Sequence, residues 1–460
     1  MKSIGKVVGI KNQVVEVEFE SEMPKIHDLL TLEEDNRAIL EVIASSSLSK
    51  FFCLSLSNVN LLYRGAKIIN TKKQISVPSG ESALGRVIDI FLNSLDGLGP
   101  INRKDSHPIY DKKTNYIDEI KVPGKILETG IKAVDFFAPI LKGGKVGLFG
   151  GAGVGKTIIL TEFIHNILIM GSEDKNRVAV FSAVGERSRE AQELHELINK
   201  SKVSALITLI LGQMGESPAI RFRTAYSGVA LAEHFRDNLK HDVLFLMDNM
   251  YRFAQAGHEL SILMGSIPSE DGYQSTLTSE MSSLHERLIS NNNGTITSIE
   301  AVFVPSDDMT DYGVRSIFPY LDTYVILSRD VYQEGRVPAI DLLESTSTGL
   351  SRDFVSPFHY LSYMEAKNIL ERARKLERIV SLIGSSELSL RDQEIYRRAT
   401  TIRNYMTQNF FTTKEQTGKE GSHIDLKETV EDVMGIIEGK YDNVPPEKFL
   451  YIGSIKDAGI

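Results

Sequence analysis

The chain has 460 residues, 42% hydrophobic and 25% charged, enough apolar material for a buried core in two or three domains. Its 52 Lys and Arg against 61 Asp and Glu leave a formal net charge of -9, which excludes an overall electrostatic pull toward nucleic acid or anionic lipid. One cysteine, Cys53, excludes an internal disulfide and a multi-cysteine metal site; it reads as a core residue and points to a cytoplasmic chain.

Residues 1–9 carry Lys2 and Lys6 but no apolar stretch of signal-peptide length. The longest apolar runs, such as 205–211 and 243–247, fall well short of the roughly 20 residues that a membrane span needs, so membrane contact is expected only through partners. Short alternating segments at 6–9, 14–19, 38–44, 51–56 and 66–69 predict a small antiparallel β domain, with Pro78, Ser79 and Gly80 marking its exit. From 84 to 356, apolar strands alternate with helical periodicity, the pattern of a parallel sheet flanked by helices. The candidate buried strands are 146–149, 178–181, 243–247, 301–304 and 324–327. Beyond Pro357 the periodicity is helical over 362–382, 387–407 and 425–440, with apolar spacings of three and four as at Leu376, Ile379 and Ile383. The domain boundaries drawn from this are 1–76, 77–356 and 357–460.

The strongest chemical signal is Gly150-Gly151-Ala152-Gly153-Val154-Gly155-Lys156-Thr157, a phosphate-binding loop pattern between an apolar strand and the helical spacing of Leu160, Phe163, Ile164, Ile167 and Leu168. In such a loop glycines let backbone N–H groups wrap phosphates at a helix N-terminus, Lys156 neutralises the β and γ oxygens, and Thr157 ligates Mg²⁺. The run 243–247 ends in Asp248, a carboxylate placed to orient Mg²⁺ through its water shell. After strand 178–181 comes Gly185-Glu186-Arg187-Ser188-Arg189-Glu190. There Glu186 could polarise a water, Arg187 could hold the transferring phosphoryl charge, and Glu190 could reach the metal's water shell. On periodicity alone an exposed helix start, with these glutamates in i,i+4 surface pairs, is an equal reading.

Several long stretches carry a family resemblance: the phosphate loop, Gly185-Glu186-Arg187, Asp248-Asn249-Met250-Tyr251-Arg252-Phe253-Ala254-Gln255-Ala256-Gly257, Gly272-Tyr273-Gln274-Ser275-Thr276-Leu277, and Val304-Pro305-Ser306-Asp307-Asp308-Met309-Thr310-Asp311. In this order they resemble the catalytic β subunit of rotary F-type ATPases over nearly the full chain. The resemblance implies an N-terminal β barrel, a central α/β phosphate-loop nucleotide-binding domain and a C-terminal α-helical bundle. It also implies ATP hydrolysis with Mg²⁺ and ATP or ADP as ligands. The partners it implies are α-like non-catalytic subunits in a three-plus-three ring and a γ-like central stalk. By the same resemblance Glu186 positions the attacking water, Arg187 and Arg252 lie in the phosphate site, and the complex sits at the inner face of the cell membrane.

The departures from the family fall elsewhere. Val337, in Arg336-Val337-Pro338-Ala339, stands where a Tyr stacks on adenine, and Gln416 stands for a second aromatic, while Phe410 keeps the other. Phe303 replaces a Tyr, and the acidic lever motif becomes Ser386-Glu387-Leu388-Ser389-Leu390-Arg391-Asp392. Phosphate chemistry is spared, while base recognition and stalk contact are altered, as in a specialised paralogue. Thr348 stands where the α subunit carries the arginine it lends to its neighbour, and Arg352, four residues on, is the nearest substitute. The expectation is a chain that needs an α-like partner. A homohexameric secretion-type ATPase and a nucleotide-binding subunit without turnover are the alternatives.

Overall fold

The computed structural model describes residues 3–57, 59–103, 106–110, 119–170, 176–200, 203–269 and 271–459, so Met1 and Lys2 of the leader reading lie outside the described residues. Six strands open the chain: β1 (Ile4–Lys11), β2 (Val14–Phe19), β3 (Leu29–Leu32), β4 (Ile39–Ser45), β5 (Lys50–Ser55) and β6 (Lys67–Asn70). They close into a barrel in the order β1-β2-β5-β4-β3-β6. Alternation drives it, since Val15, Val17 and Phe19 of β2 point inward and are fully buried while Glu16 and Glu18 between them are not. Phe19 meets Phe51 edge to face at 6.0 Å, and Gly5 is glycine because a Cβ there would run into the Phe19 ring. Cys53 lies in the same core, its thiol pushed up by burial.

The second domain is built on an eight-stranded sheet in the order β14-β13-β8-β12-β11-β9-β10-β7. Its strands are β7 (Val87–Ile88), β8 (Lys145–Gly150), β9 (Arg177–Glu186), β10 (Ile207–Gln213), β11 (Asp242–Asp248), β12 (Ile296–Phe303), β13 (Thr323–Ile326) and β14 (Thr346–Ser347). All pairings are parallel except β13 with β14. Both faces are covered, which explains the nearly continuous apolar runs. Leu148, Phe181 and Leu246 enter one core, and their neighbours Phe149, Val180, Phe245 and Met247 enter the other. Four helices carry the chain between or beyond these strands: α1 (Lys156–His165), α2 (Ser188–Lys200), α3 (Pro218–Asp237) and α4 (Met250–Leu263). Since β8, β9 and β11 run parallel, their C-terminal ends bring Gly150, Glu186 and Asp248 to one edge.

Barrel and sheet are joined at Glu41 on β4. This fully buried carboxylate accepts from Arg223 of α3 at 2.8 Å, from the Tyr110 hydroxyl at 2.8 Å and from His27 Nδ1 at 2.9 Å. Burial opposes its charge, but the Arg223 guanidinium and the hydrogen bonds from His27 and Tyr110 prevail and hold it below the usual carboxylate value.

The remainder is helical: α5 (Pro357–Ile383), α6 (Leu390–Tyr405) and α7 (Leu426–Ile437). Ser356, followed by Pro357, caps α5 by accepting the His359 N–H at 3.1 Å, and Ser389 caps α6 through the Asp392 N–H at 3.2 Å. At the turn between them Leu382 and Leu390 are 77% and 80% exposed, beside the exposed Ser386, Glu387 and Ser389. Among the described residues no helix is long and apolar enough to cross a membrane.

Candidate functional site

The loop after β8 is shaped by its glycines. Gly153 and Gly155 sit at φ of 77° and 94°, a left-handed region that side chains rarely adopt. Gly151 has normal backbone but no room, because a Cβ would overlap the Asp307 carboxylate. Lys156, the first residue of α1, folds back and donates to the carbonyls of Gly150 at 2.8 Å and Gly151 at 2.5 Å. Burial pushes its ammonium down to about 8, opposed by the charges of Asp248, Glu186 and Asp307. A phosphate entering the loop would offer that ammonium better acceptors than two neutral carbonyls.

Thr157, next on α1, donates from its hydroxyl to Asp248 Oδ2 at 3.3 Å. Asp248 is buried, and burial raises its carboxyl while Lys156, Arg252 and Thr157 pull the other way. The residue after it, Asn249, follows through a cis peptide and caps α4: its side-chain oxygen accepts from the N–H of Tyr251 at 3.0 Å and of Phe303 at 3.1 Å. This double tie fixes the first turn of α4 against β12, so that Arg252 reaches across to β9. There it lies 3.4 Å from Glu186 Oε1 and donates to the Gly185 carbonyl.

Glu186 ends β9 and is largely buried. Burial first, then a hydrogen bond to Glu190 and the charge of Asp248, raise its carboxyl, with Arg252 opposing; Glu190 is lowered by the same hydrogen bond. The Glu190 carboxylate in turn lies 3.8 Å from the Arg187 guanidinium. The Arg187 side chain is 68% exposed at the mouth of the cleft, whereas Arg252 is the guanidinium packed inside.

Mg²⁺ fits this donor set in a restricted way. Among the described residues no group of three or more His, Cys, Asp or Glu could hold a metal ion. Thr157 and Asp248 offer hard oxygens side by side, which suits an ion that keeps most of its waters and takes its other ligands from phosphates.

A backbone hydrogen bond ties together the segments that carry Val337, Phe410 and Gln416, the residues expected to meet the base. Val337 precedes Pro338 through a cis peptide, and its carbonyl accepts from the Gln408 N–H at 2.9 Å, joining its loop to the segment that carries Phe410 and Gln416. Phe410 is 1% exposed, deep in the core, whereas its neighbour Phe411 is half-buried and stacks on His165 at 4.7 Å. Gln416 is exposed on the short helix Lys414–Thr417. Glu162 of α1 grips this segment, accepting from the N–H groups of Phe411 and Thr412, each at 3.0 Å, and from the Thr412 hydroxyl at 2.9 Å. Gln408 is held in turn from the segment 130–132, donating to the Gly130 carbonyl at 2.7 Å and accepting from the Lys132 N–H at 3.0 Å.

Two residues with no role assigned from sequence stand at the loop. Asp307, at φ of 57°, is held against Gly151 and pairs with Arg329 at 2.9 Å. Asp307 lies in the stretch 304–311 that carries the family resemblance, and Gly151 is the residue that makes room for it. On the far side of the domain Thr348 is exposed and donates its N–H to the Asp322 carbonyl at 2.9 Å. Arg352 lies in a turn, not a helix, with its guanidinium over the Tyr360 ring at 5.6 Å.

Residues 130–347 match the ATP synthase alpha/beta family, nucleotide-binding domain. Residues 349–430 match the C-terminal domain of V and A type ATP synthase. The first match spans β8 to β14 and holds every phosphate-site residue described above; the second spans α5 and α6 and the first residues of α7.

Proposed function

The chain is a subunit of the ATP synthase alpha/beta family, and from that premise we propose that it is the catalytic, beta-type subunit of a rotary F-type-like ATPase. The observation that carries the reading is Glu186, a carboxyl at the strand end facing the phosphate loop, paired with Arg252 in the same cleft as Lys156, Thr157 and Asp248. In this reading Lys156 and Arg252 meet phosphate charge, and Asp248 and Thr157 hold Mg²⁺, which when bound neutralises phosphate oxygens. Glu186, once ionised, orients the attacking water and takes charge of its proton. Arg187, at the cleft mouth, moves inward with ligand. An α-like neighbour lends the arginine that the exposed Thr348 edge lacks, a γ-like stalk meets the helical tip, and the ring is cytoplasmic, reaching the membrane only through other subunits.

Glu186→Gln, measured in the assembled complex, is expected to keep Mg-ATP affinity and lose turnover by roughly 10²- to 10⁴-fold, because the amide preserves shape without the carboxylate. Undiminished turnover would remove Glu186 from the mechanism. The match of 349–430 to a V and A type domain favours a second reading of the assembly, a catalytic subunit of V/A-type character, with the same chemistry at Glu186. Co-purified stalk and ring subunits separate the two.

A further inference from the structure

Val337 and Gln416 leave the base end short of rings, yet an aromatic side chain from the far C-terminus stands among the same segments. Tyr451 donates its hydroxyl to the Gly335 carbonyl, two residues before Val337. Its N–H donates to the Thr407 hydroxyl at 2.7 Å, and its carbonyl accepts from the Asn409 amide at 3.3 Å, on either side of Gln408. The Lys419 ammonium lies 5.1 Å from its ring centroid, three residues after Gln416. Thus the three segments that carry Val337, Phe410 and Gln416 all converge on this one half-buried ring.

The backbone there is built for the position. Tyr451 sits at φ of 57°, uncommon for a residue of its bulk, and such conformations persist where the surroundings over-determine them. Those surroundings are visible: the fully buried Lys132 donates its ammonium to the next two carbonyls, Ile452 at 2.7 Å and Gly453 at 3.0 Å. Lys132 belongs to the same 130–132 segment that grips Gln408, so the tail and the base segment hang from one support.

We infer that Tyr451 supplies the aromatic wall missing at Val337 and Gln416, its ring stacking a purine against Val337. The inference rests on the nucleotide-site reading above and adds the specificity-determining residue at its base end. A tyrosine face stacks adenine and guanine alike, so it supports purine affinity without choosing between the two.

Isothermal titration of the full chain with Mg-ATP and with inorganic tripolyphosphate tests it. Y451L is expected to weaken ATP about fivefold, the loss of one stacking contact, and to leave tripolyphosphate unchanged. Y451F, which keeps the ring, is expected to stay within about twofold of the parent for both ligands. If Y451L does not fold, Y451M keeps the volume without the ring and carries the same comparison. Parent-like ATP binding by the ringless variant, or equal loss of both ligands, overturns the inference. Lys156→Ala is the separate control: unchanged binding of both ligands would overturn the nucleotide-site reading itself, whatever Tyr451 does.

Discussion

In the proposed reading of the cleft, its phosphate end and its base end are made in opposite ways. At the phosphate end, β8, β9 and β11 deliver Gly150, Glu186 and Asp248 to one sheet edge, each held by the strand that ends there. At the base end, loops around 335, 408 and 451 meet without a shared sheet, tied by backbone carbonyls and by Lys132. Chemistry that tolerates little displacement thus rests on the sheet. Recognition, where stacking is tolerant of geometry, rests on loops that substitutions such as Val337 can change.

The largest effect expected from this contrast concerns what even the phosphate end lacks. Purified chain without an α-like partner should hydrolyse Mg-ATP roughly 10³- to 10⁵-fold more slowly than the full ring, the contribution of an arginine lent in trans. The exposed Thr348 carries no charge to lend, and Arg352 is already committed to Tyr360. A solitary chain turning over near the rate of the full ring would mean that the phosphate end is complete by itself.

A smaller effect is expected at the base end. Turnover of ATP and GTP should differ by no more than about tenfold, because the contact inferred there is stacking on a ring, which accepts adenine and guanine alike. Steady-state rates for the two nucleotides, measured side by side, check this. A preference of several hundredfold would show that a polar side chain such as Gln416 reads the base edge.

A third expected effect is on stability and reads the support under the base end. Burial pushes the Lys132 ammonium from its ordinary 10.5 down to about 7. Between those values the unfolded chain binds a proton that the folded chain does not, so stability should rise with pH from about 7 toward 10. Urea unfolding at several pH values, compared between the parent and Lys132→Met, isolates the contribution as a slope present in the parent and reduced in the variant. Equal slopes would mean that the two tail carbonyls keep the ammonium charged in the fold.

How much of this was legible in the sequence follows the same contrast. The phosphate loop is contiguous, so Lys156 and Thr157 are readable wherever the chain folds as strand, turn and helix. Strand β12 was expected over 301–304 but begins at Ile296, because Thr297, Ser298 and Glu300 look polar yet are buried and satisfied. Glu300 receives His285 at 2.8 Å, a partner that no local pattern announces. Strand β10 read only as an apolar run, since burial on both faces erases the period of two. The four-residue β3 left too short a pattern to see. Tyr451 was out of reach altogether: its contacts with Gly335 and Thr407 are distant in sequence, and each pairs a side-chain hydroxyl with a backbone group, which no local pattern announces.

The helix α5 has one more consequence, which is mechanical. Its 27 residues make a rod roughly 40 Å long. The root is clamped: His359 donates to the Phe136 carbonyl at 3.0 Å, and Tyr363, Ala366, Leu370 and Ala373 are buried. Farther along, Ile379 is 43% exposed and Leu382 is 77% exposed, and the far half is tied to α6, where Glu377 pairs with Arg403 at 2.6 Å. Only about ten residues, roughly 15 Å, extend past Ala373, so a tilt of about 10° there would move the end by about 3 Å. Phe136 lies on the same short helix, Lys132–Phe137, whose first residue donates its N–H to Gln408, so the root of α5 and the segment around 408 share one support.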